Sequence, residues 1–370
     1  PDSHSAEDLG RVTKGAAKAF LGRVFLFRAS PQFNPNNNNE HWQTAYNYNK
    51  ETLNYLIGQG HALYDDYGKL FLDEMNKEVI FAIRYENPTR TQKRDATVRP
   101  ITFSMNNTGG NHPTQEVIDR FPTIDGGTYT YADWEKEGKD IFALWENRDK
   151  RFYATIVYQG VTYFNTVMEL NENAQNDYAY GKNVGSKTGY YSRKAIDESL
   201  SVTDCQKSGT DYIDIRLAEV MLNYAEAVFE RDGQISDEDL AISLNLTRKR
   251  INPEMPDLTN DFVTANNLDM RTEIRRERTI EFFDENFRID DLKRWKTAED
   301  EMPMNLTGVK WKGTDFENRW PDASFKEKDG EGCIIHEKGR NWHEKHYLLP
   351  LPTDQLKLNS NLKQNPGWNQ

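Results

Sequence analysis

The stretch Asp214–Glu230, DIRLAEVMLNYAEAVFE, carries the reading of the fold. Leu217, Val220, Met221, Tyr224 and Val228 recur with the 3.6-residue period of an α-helix. Ala218 and Ala225 sit a heptad apart, where small side chains let a second helix come close. Ser236–Arg250 supplies that partner. Ser236 is placed as an N-cap, and Glu238 and Asp239 put negative charge where the helix dipole favours it. Two helices returning on each other form a helical hairpin, the unit of tetratricopeptide (TPR) arrays.

Two further pairs follow the same pattern. Gly15–Arg28, GAAKAFLGRVFLFR, has Thr13 as its N-cap and Ala16, Phe20, Val24 and Phe27 as its expected core stripe. SPQFNPNNNN (Ser30–Asn39) breaks it, and His41–Leu56 returns with Trp42, Ala45, Tyr46 and Leu53 near one face, ending at Gly58 and Gly60. Leu268–Phe283 and Phe287–Lys296 make the third pair. The gaps between pairs are irregular, so the helices belong to one domain rather than to a continuous solenoid. Between them, Glu78–Tyr85 (EVIFAIRY) and Arg151–Gln159 (RFYATIVYQ) read as strands, joined by loops rich in Gly, Asn and Thr. The expected fold is mainly α: TPR-like helix pairs at about 13–58, 214–250 and 267–297 form an α-α superhelical scaffold. A loop-rich region with a few short strands spans about 76–200, a C-terminal strap spans 346–370, and the whole of 1–370 is a single domain.

Aromatic residues make up 12% of the 370-residue chain, which marks it as a folding sequence. Its net charge of −12 argues against a phosphate-backbone partner. No apolar run approaches the roughly 20 residues that cross a bilayer. Cys205 and Cys333 have no metal-ligand spacing and are equally consistent with one disulfide or two thiols.

Catalytic signatures are missing. There is no GxGxxG, GxxxxGK[ST] or GxSxG, and His343–His346 (HEKH) is too tight for the HExxH zinc pattern. Glu277 and Glu281, with Asp290 and Asp291 beyond, are the best acid–base candidates. They lie among Arg271, Arg275, Arg276 and Arg278, which reads as a structural ion network. No catalytic residue, metal or cofactor is expected.

The landmarks then assemble. GRVTKGAAKAFLGRVFLFRASPQFN (Gly10–Asn34), NKEVIFAIRYEN (Asn76–Asn87), HPTQEVIDRFPTIDGG (His112–Gly127) and NRDKRFYATIVYQG (Asn147–Gly160) come first. TGYYSRKAID (Thr188–Asp197), DIRLAEVMLNYAEA (Asp214–Ala227), IRRERTIEFFDENFRIDDLKRW (Ile274–Trp295) and the closing HYLLPLPTDQLKLNSNLKQNPGW (His346–Trp368) follow in order. Together they resemble the SusD/RagB family of Bacteroidetes outer-membrane nutrient-binding lipoproteins. The resemblance implies a non-catalytic, surface-exposed subunit, lipid-anchored through an N-terminal cysteine that this chain lacks. Its partner would be a SusC-like TonB-dependent transporter. Its cargo would be an oligosaccharide or, in the RagB branch, a peptide; a plain TPR protein-interaction module is the alternative. Only Pro1–Leu9 precedes the first landmark, so the family's first TPR is expected to be missing, and with it solubility.

In the family, the loop after the NKEVIFAIRY strand often faces ligand. Here it is Glu86–Asn111, with Arg90, Arg94, Arg99 and Phe103 and without Trp or Tyr. Arginines suit carboxylates or sulfates, so an acidic or heavily hydroxylated glycan is expected. The candidate ligand-binding residues are Tyr85, Arg90, Arg94, Arg99, Phe103 and Asn107, with Trp311 and Trp320 as further stacking candidates. In the closing stretch, Leu349 and Leu351 precede prolines and read as extended. Thr353 is expected to cap a short turn whose Leu356 and Leu358 point back to the body, so that the strap lies in a groove.

Overall fold

A computed structural model describes residues 1–104, 110–138, 140–169 and 185–368. Thr13 Oγ1 accepts from Ala16 N at 3.1 Å and starts the first helix, Lys14–Ala29. Asn38 caps the second, Asn39–Gly58. The two pack antiparallel through an unexpected face. Gly15, Ala16, Ala19, Gly22, Leu26 and Ala29 are buried; of the expected stripe Ala16 is buried and Phe27 half-buried, whereas Phe20 and Val24 are exposed. Close approach decides this: a Cβ on Gly22 would come within 2.5 Å of Asn49 Oδ1, so a larger residue there would have to displace the buried Asn49 side chain.

The Leu217–Asp232 helix is the axis of the fold. Every residue from Leu217 to Phe229 is buried, so it is surrounded rather than amphipathic. It packs against the first pair on one side and Met270–Glu281 on another. Its expected partner is broken. Ser236 does cap Asp237–Ala241, accepting from Asp239 N, but Ser243 leaves helical geometry at φ −136°, ψ −98°, and a second helix restarts at Leu244–Lys249. The third pair is realised as Met270–Glu281 and Arg288–Arg294.

Among the described residues the β-structure is four two-stranded ribbons. Val79–Ile83 pairs antiparallel with Tyr212–Arg216 and ties the loop region to the axial helix. The segment Arg151–Gln159 is mostly not a strand: Lys150–Thr155 is helical, capped by Asp149, and only Ile156–Val157 is extended. Phe152, Thr155 and Ile156 are buried at helical spacing. The alternating pattern was the accident of two short elements meeting.

Two cores result. The helical core gathers Leu217, Val220, Tyr224, Leu53 and Ile274; a second, aromatic core gathers Trp145, Tyr163, Tyr190, Phe316 and Trp320. An ion network is buried alongside. Arg151 reaches Asp149, Glu277 and Glu281; Arg216 reaches Glu78, Glu281 and Glu285; Arg250 reaches Glu78 and Glu281. Burial pushes the Glu281 carboxyl up, but Arg250, Arg216 and Arg151 override it and hold it well below its ordinary value. Glu277 and Glu281 are therefore structural, as expected, though their partners Arg151, Arg216 and Arg250 come from elsewhere in the chain.

Cys205 and Cys333 are free and buried. The closing strap departs from expectation. Thr353–Leu358 is a helix with no buried residue, no side-chain cap, and an exposed Leu358. The strap folds on itself instead. Gln364 donates to Leu351 O and accepts from Leu351 N, and Trp368 Nε1 donates to Leu348 O at 2.8 Å. Tyr347, at its root, packs with Leu292 and Ala298.

Candidate functional site

The Val79–Ile83 strand ends at the one place where several candidate residues meet. Arg84 Nε pairs with Asp211 Oδ2 at 2.6 Å, and Tyr85 N donates to Asp211 Oδ1 at 2.8 Å. Burial raises the Asp211 carboxyl above its ordinary value, against the pull of the Tyr85 amide and Arg84. Reciprocal backbone bonds of 2.7 Å between Glu86 and Arg90 close a tight turn, and Gln92 pairs with Ser208. The turn returns the Arg90 guanidinium to 5.2 Å from the Tyr85 ring centroid, a cation–π distance.

Tyr85 divides two concavities. On one side is a groove of about 790 Å³ lined by Tyr85, Asn87, Arg90, Glu86, Asp197 and Thr210. On the other is a cavity of about 130 Å³ that Tyr85 shares with Phe71, Arg94, Lys194 and Asp284. The groove combines one aromatic face with a ring of carboxylate, amide, hydroxyl and guanidinium groups of both signs. Flat apolar contact plus many orientable donors and acceptors is what a polyhydroxylated ring needs.

Lys194 in the smaller cavity is locked. Its Nζ donates to Tyr67 OH at 2.8 Å, Glu281 O at 2.9 Å and Glu285 Oε1 at 2.6 Å. Burial lowers its pKa to about 8 despite the Glu285 charge.

The other candidates separate. Arg94 donates to Asp284 Oδ2 at 2.8 Å and to Lys194 O at 3.1 Å, so it forms wall rather than a free anion grip. Arg99 is fully buried, bonded to Asp95, Leu200 O and Asp197 O, with Phe164 beneath its guanidinium at 4.5 Å. It is a core clamp, with no exposed surface. Phe103 stacks on Phe164 at 4.8 Å and packs against the aromatic core. Trp320 is buried against Phe316 in that core, and Trp311 donates its Nε1 to Trp320 O beside it. Neither tryptophan lines the Tyr85 groove. Asn107 lies outside the described residues.

Thr210 and Asp197 were missed as groove residues. They come from segments distant in sequence, and only the pairing of Val79–Ile83 with Tyr212–Arg216 could have pointed to Thr210. Among the described residues no group of three or more His, Cys, Asp and Glu could hold a metal ion, and no helix is long and apolar enough to cross a membrane.

The sequence profile of the SusD family matches residues 77–368. The chain belongs to the SusD family. Solved SusD-like structures agree in fold. A SusD-like carbohydrate-binding protein of Bacteroides fragilis superposes with a TM-score of 0.78 at 24% identity, over 97% of this chain and 66% of that one. A second SusD-like protein of B. fragilis gives 0.75 at 28% identity, over 100% and 68%. A SusD superfamily protein of Parabacteroides distasonis gives 0.61 at 19% identity, over 97% and 64%. This SusD-family chain thus spans about two thirds of the length of those proteins. No curated protein matches it.

Proposed function

We propose that this chain is a non-catalytic, cell-surface glycan-binding subunit that captures oligosaccharide and hands it to a SusC-like TonB-dependent transporter in the outer membrane. Its attachment there would be by a lipid anchor, as in lipoproteins of this family. Membership of the SusD family supports this reading, as does the likeness to a carbohydrate-binding member from B. fragilis. A second relative, with a TM-score of 0.57, is a surface glycan-binding protein of Bacteroides uniformis.

The observation that carries it is the groove at Tyr85, an aromatic face set among polar side chains of mixed sign. Arg99 is buried and Arg94 is paired, so the arginine excess expected to favour acidic cargo does not reach the groove. Arg84 and Arg90 face Glu74, Glu86 and Asp197 there, which suits a neutral, hydroxyl-rich glycan. A panel of soluble polysaccharides in affinity electrophoresis, beside a peptide library, tests it. Retardation by a glycan that Tyr85→Ala abolishes is expected; binding of peptides alone would move the protein to the peptide-uptake branch.

A further inference from the structure

Asp284 has a second cavity on its other side. This one encloses about 540 Å³, within the range of small-molecule sites. Its walls are largely apolar, with Phe283, Phe287, Ile289, Met302, Met304 and Leu306, and are interrupted by polar side chains such as Glu116, Asp284, Asn286 and Asn305. Arg120 and Arg288 stand at its edge, each about a third exposed, and both donate to the same Glu301 oxygen, Arg120 at 2.9 Å. Two guanidiniums thus share one carboxylate here, while the other acids of the wall are engaged elsewhere: Asp284 with Arg94, Asp291 with Arg278 and Arg294, and Glu116 with Thr307. Deeper in, Arg278 is nearly fully buried; its Nε and Nη1 are bonded to Asp291 and Asn223, while Nη2 is buried with no partner.

We propose that this cavity binds a small amphipathic acid, an aryl or short acyl carboxylate. The apolar body lies among Phe283, Phe287 and the methionines, whose flexible thioethers adapt to the shape of a guest. The carboxylate pairs with Arg120 and Arg288, for which two-pronged contact to a carboxylate is the favoured geometry. A neutral apolar guest offers no acceptor to Arg120 and Arg288 at the edge. The site is independent of the Tyr85 groove and of what that groove binds.

Calorimetry of the whole chain with 3-phenylpropionate and octanoate, against the neutral amide 3-phenylpropanamide, tests this. Saturable one-to-one binding of the acids is expected, with the amide at least about tenfold weaker. Arg288→Gln should remove the preference for acid over amide. Met304→Trp should fill the cavity and abolish binding of both; Met304 is exposed at the rim, and Ile289→Trp serves if its melt shows a folding defect. No saturable binding at millimolar concentration, equal affinity for acid and amide, or binding that survives both tryptophan variants overturns the proposal. So does binding that Phe20→Ser removes, since it would then lie on the exposed first helix.

Discussion

Removing the Arg99 side chain strands Asp95, a fully buried carboxylate whose pKa burial already raises. It also frees the Asp197 and Leu200 carbonyls it holds. Arg99→Ala should cost about 3–5 kcal/mol, read as a fall in denaturation midpoint. Arg90→Ala, at an exposed turn, should leave stability within about 0.5 kcal/mol and act on ligand instead. The two arginines share one loop and look alike in the sequence. What separates them is the Asp197–Leu200 segment folding over one and not the other, a contact between positions about a hundred residues apart. Residue type was legible at Glu277 and Glu281, where crowded opposite charge pointed to structure. Their partners were not, because Arg151, Arg216 and Arg250 arrive from other elements.

Along the first helix the apolar residues form two stripes, and burial selects the smaller one. Ala16, Ala19, Leu26 and Ala29 face inward, while Phe20, Leu21 and Val24 remain exposed with Val12 ahead of them. Periodicity identified the helix and its Thr13 cap but favoured the bulky stripe, since side-chain size carries no record of how closely two backbones pass. An exposed apolar strip of this kind drives self-association. The double variant Phe20→Ser/Val24→Ser should stay monomeric at concentrations where the parent chain associates, by sedimentation, with the same melting temperature. A monodisperse parent would contradict this. At the other end, Trp368→Ala removes the indole bonds to Lys345 O and Leu348 O and should open the strap to limited proteolysis near Leu358 without unfolding the body.

At the scale of the molecule, buried ion pairs join the axial helix to the Arg288–Arg294 helix. Glu226 binds Arg294 and receives Trp295 Nε1 at 2.7 Å. Burial opposes its charge, but Arg294 and Arg278 bring its pKa down to about 2 from an ordinary 4.5. A depressed carboxylate contributes stability that is complete above its unfolded value and is lost as pH falls through the folded one. Asp119, raised to about 6 by burial, acts oppositely and adds stability as pH falls from about 6 toward 4. The melting temperature should therefore hold or rise slightly from neutrality to about pH 4.5 and collapse between there and pH 2. A steady decline beginning at pH 6 would show that the buried pairs do not control acid stability. The mainly helical plan and the collinear SusD landmarks were legible because long periodic helices declare themselves. The groove was legible only in part: Tyr85 and Arg90 meet through a local turn, while its opposite wall is assembled from afar.

Calorimetry with the glycan that most retards the parent chain, repeated on Tyr85→Ala and Arg90→Ala, tests the central claim most directly. Each variant should melt as the parent does and bind about tenfold more weakly or not at all. Unchanged affinity in both variants would contradict the assignment of the groove as the binding site.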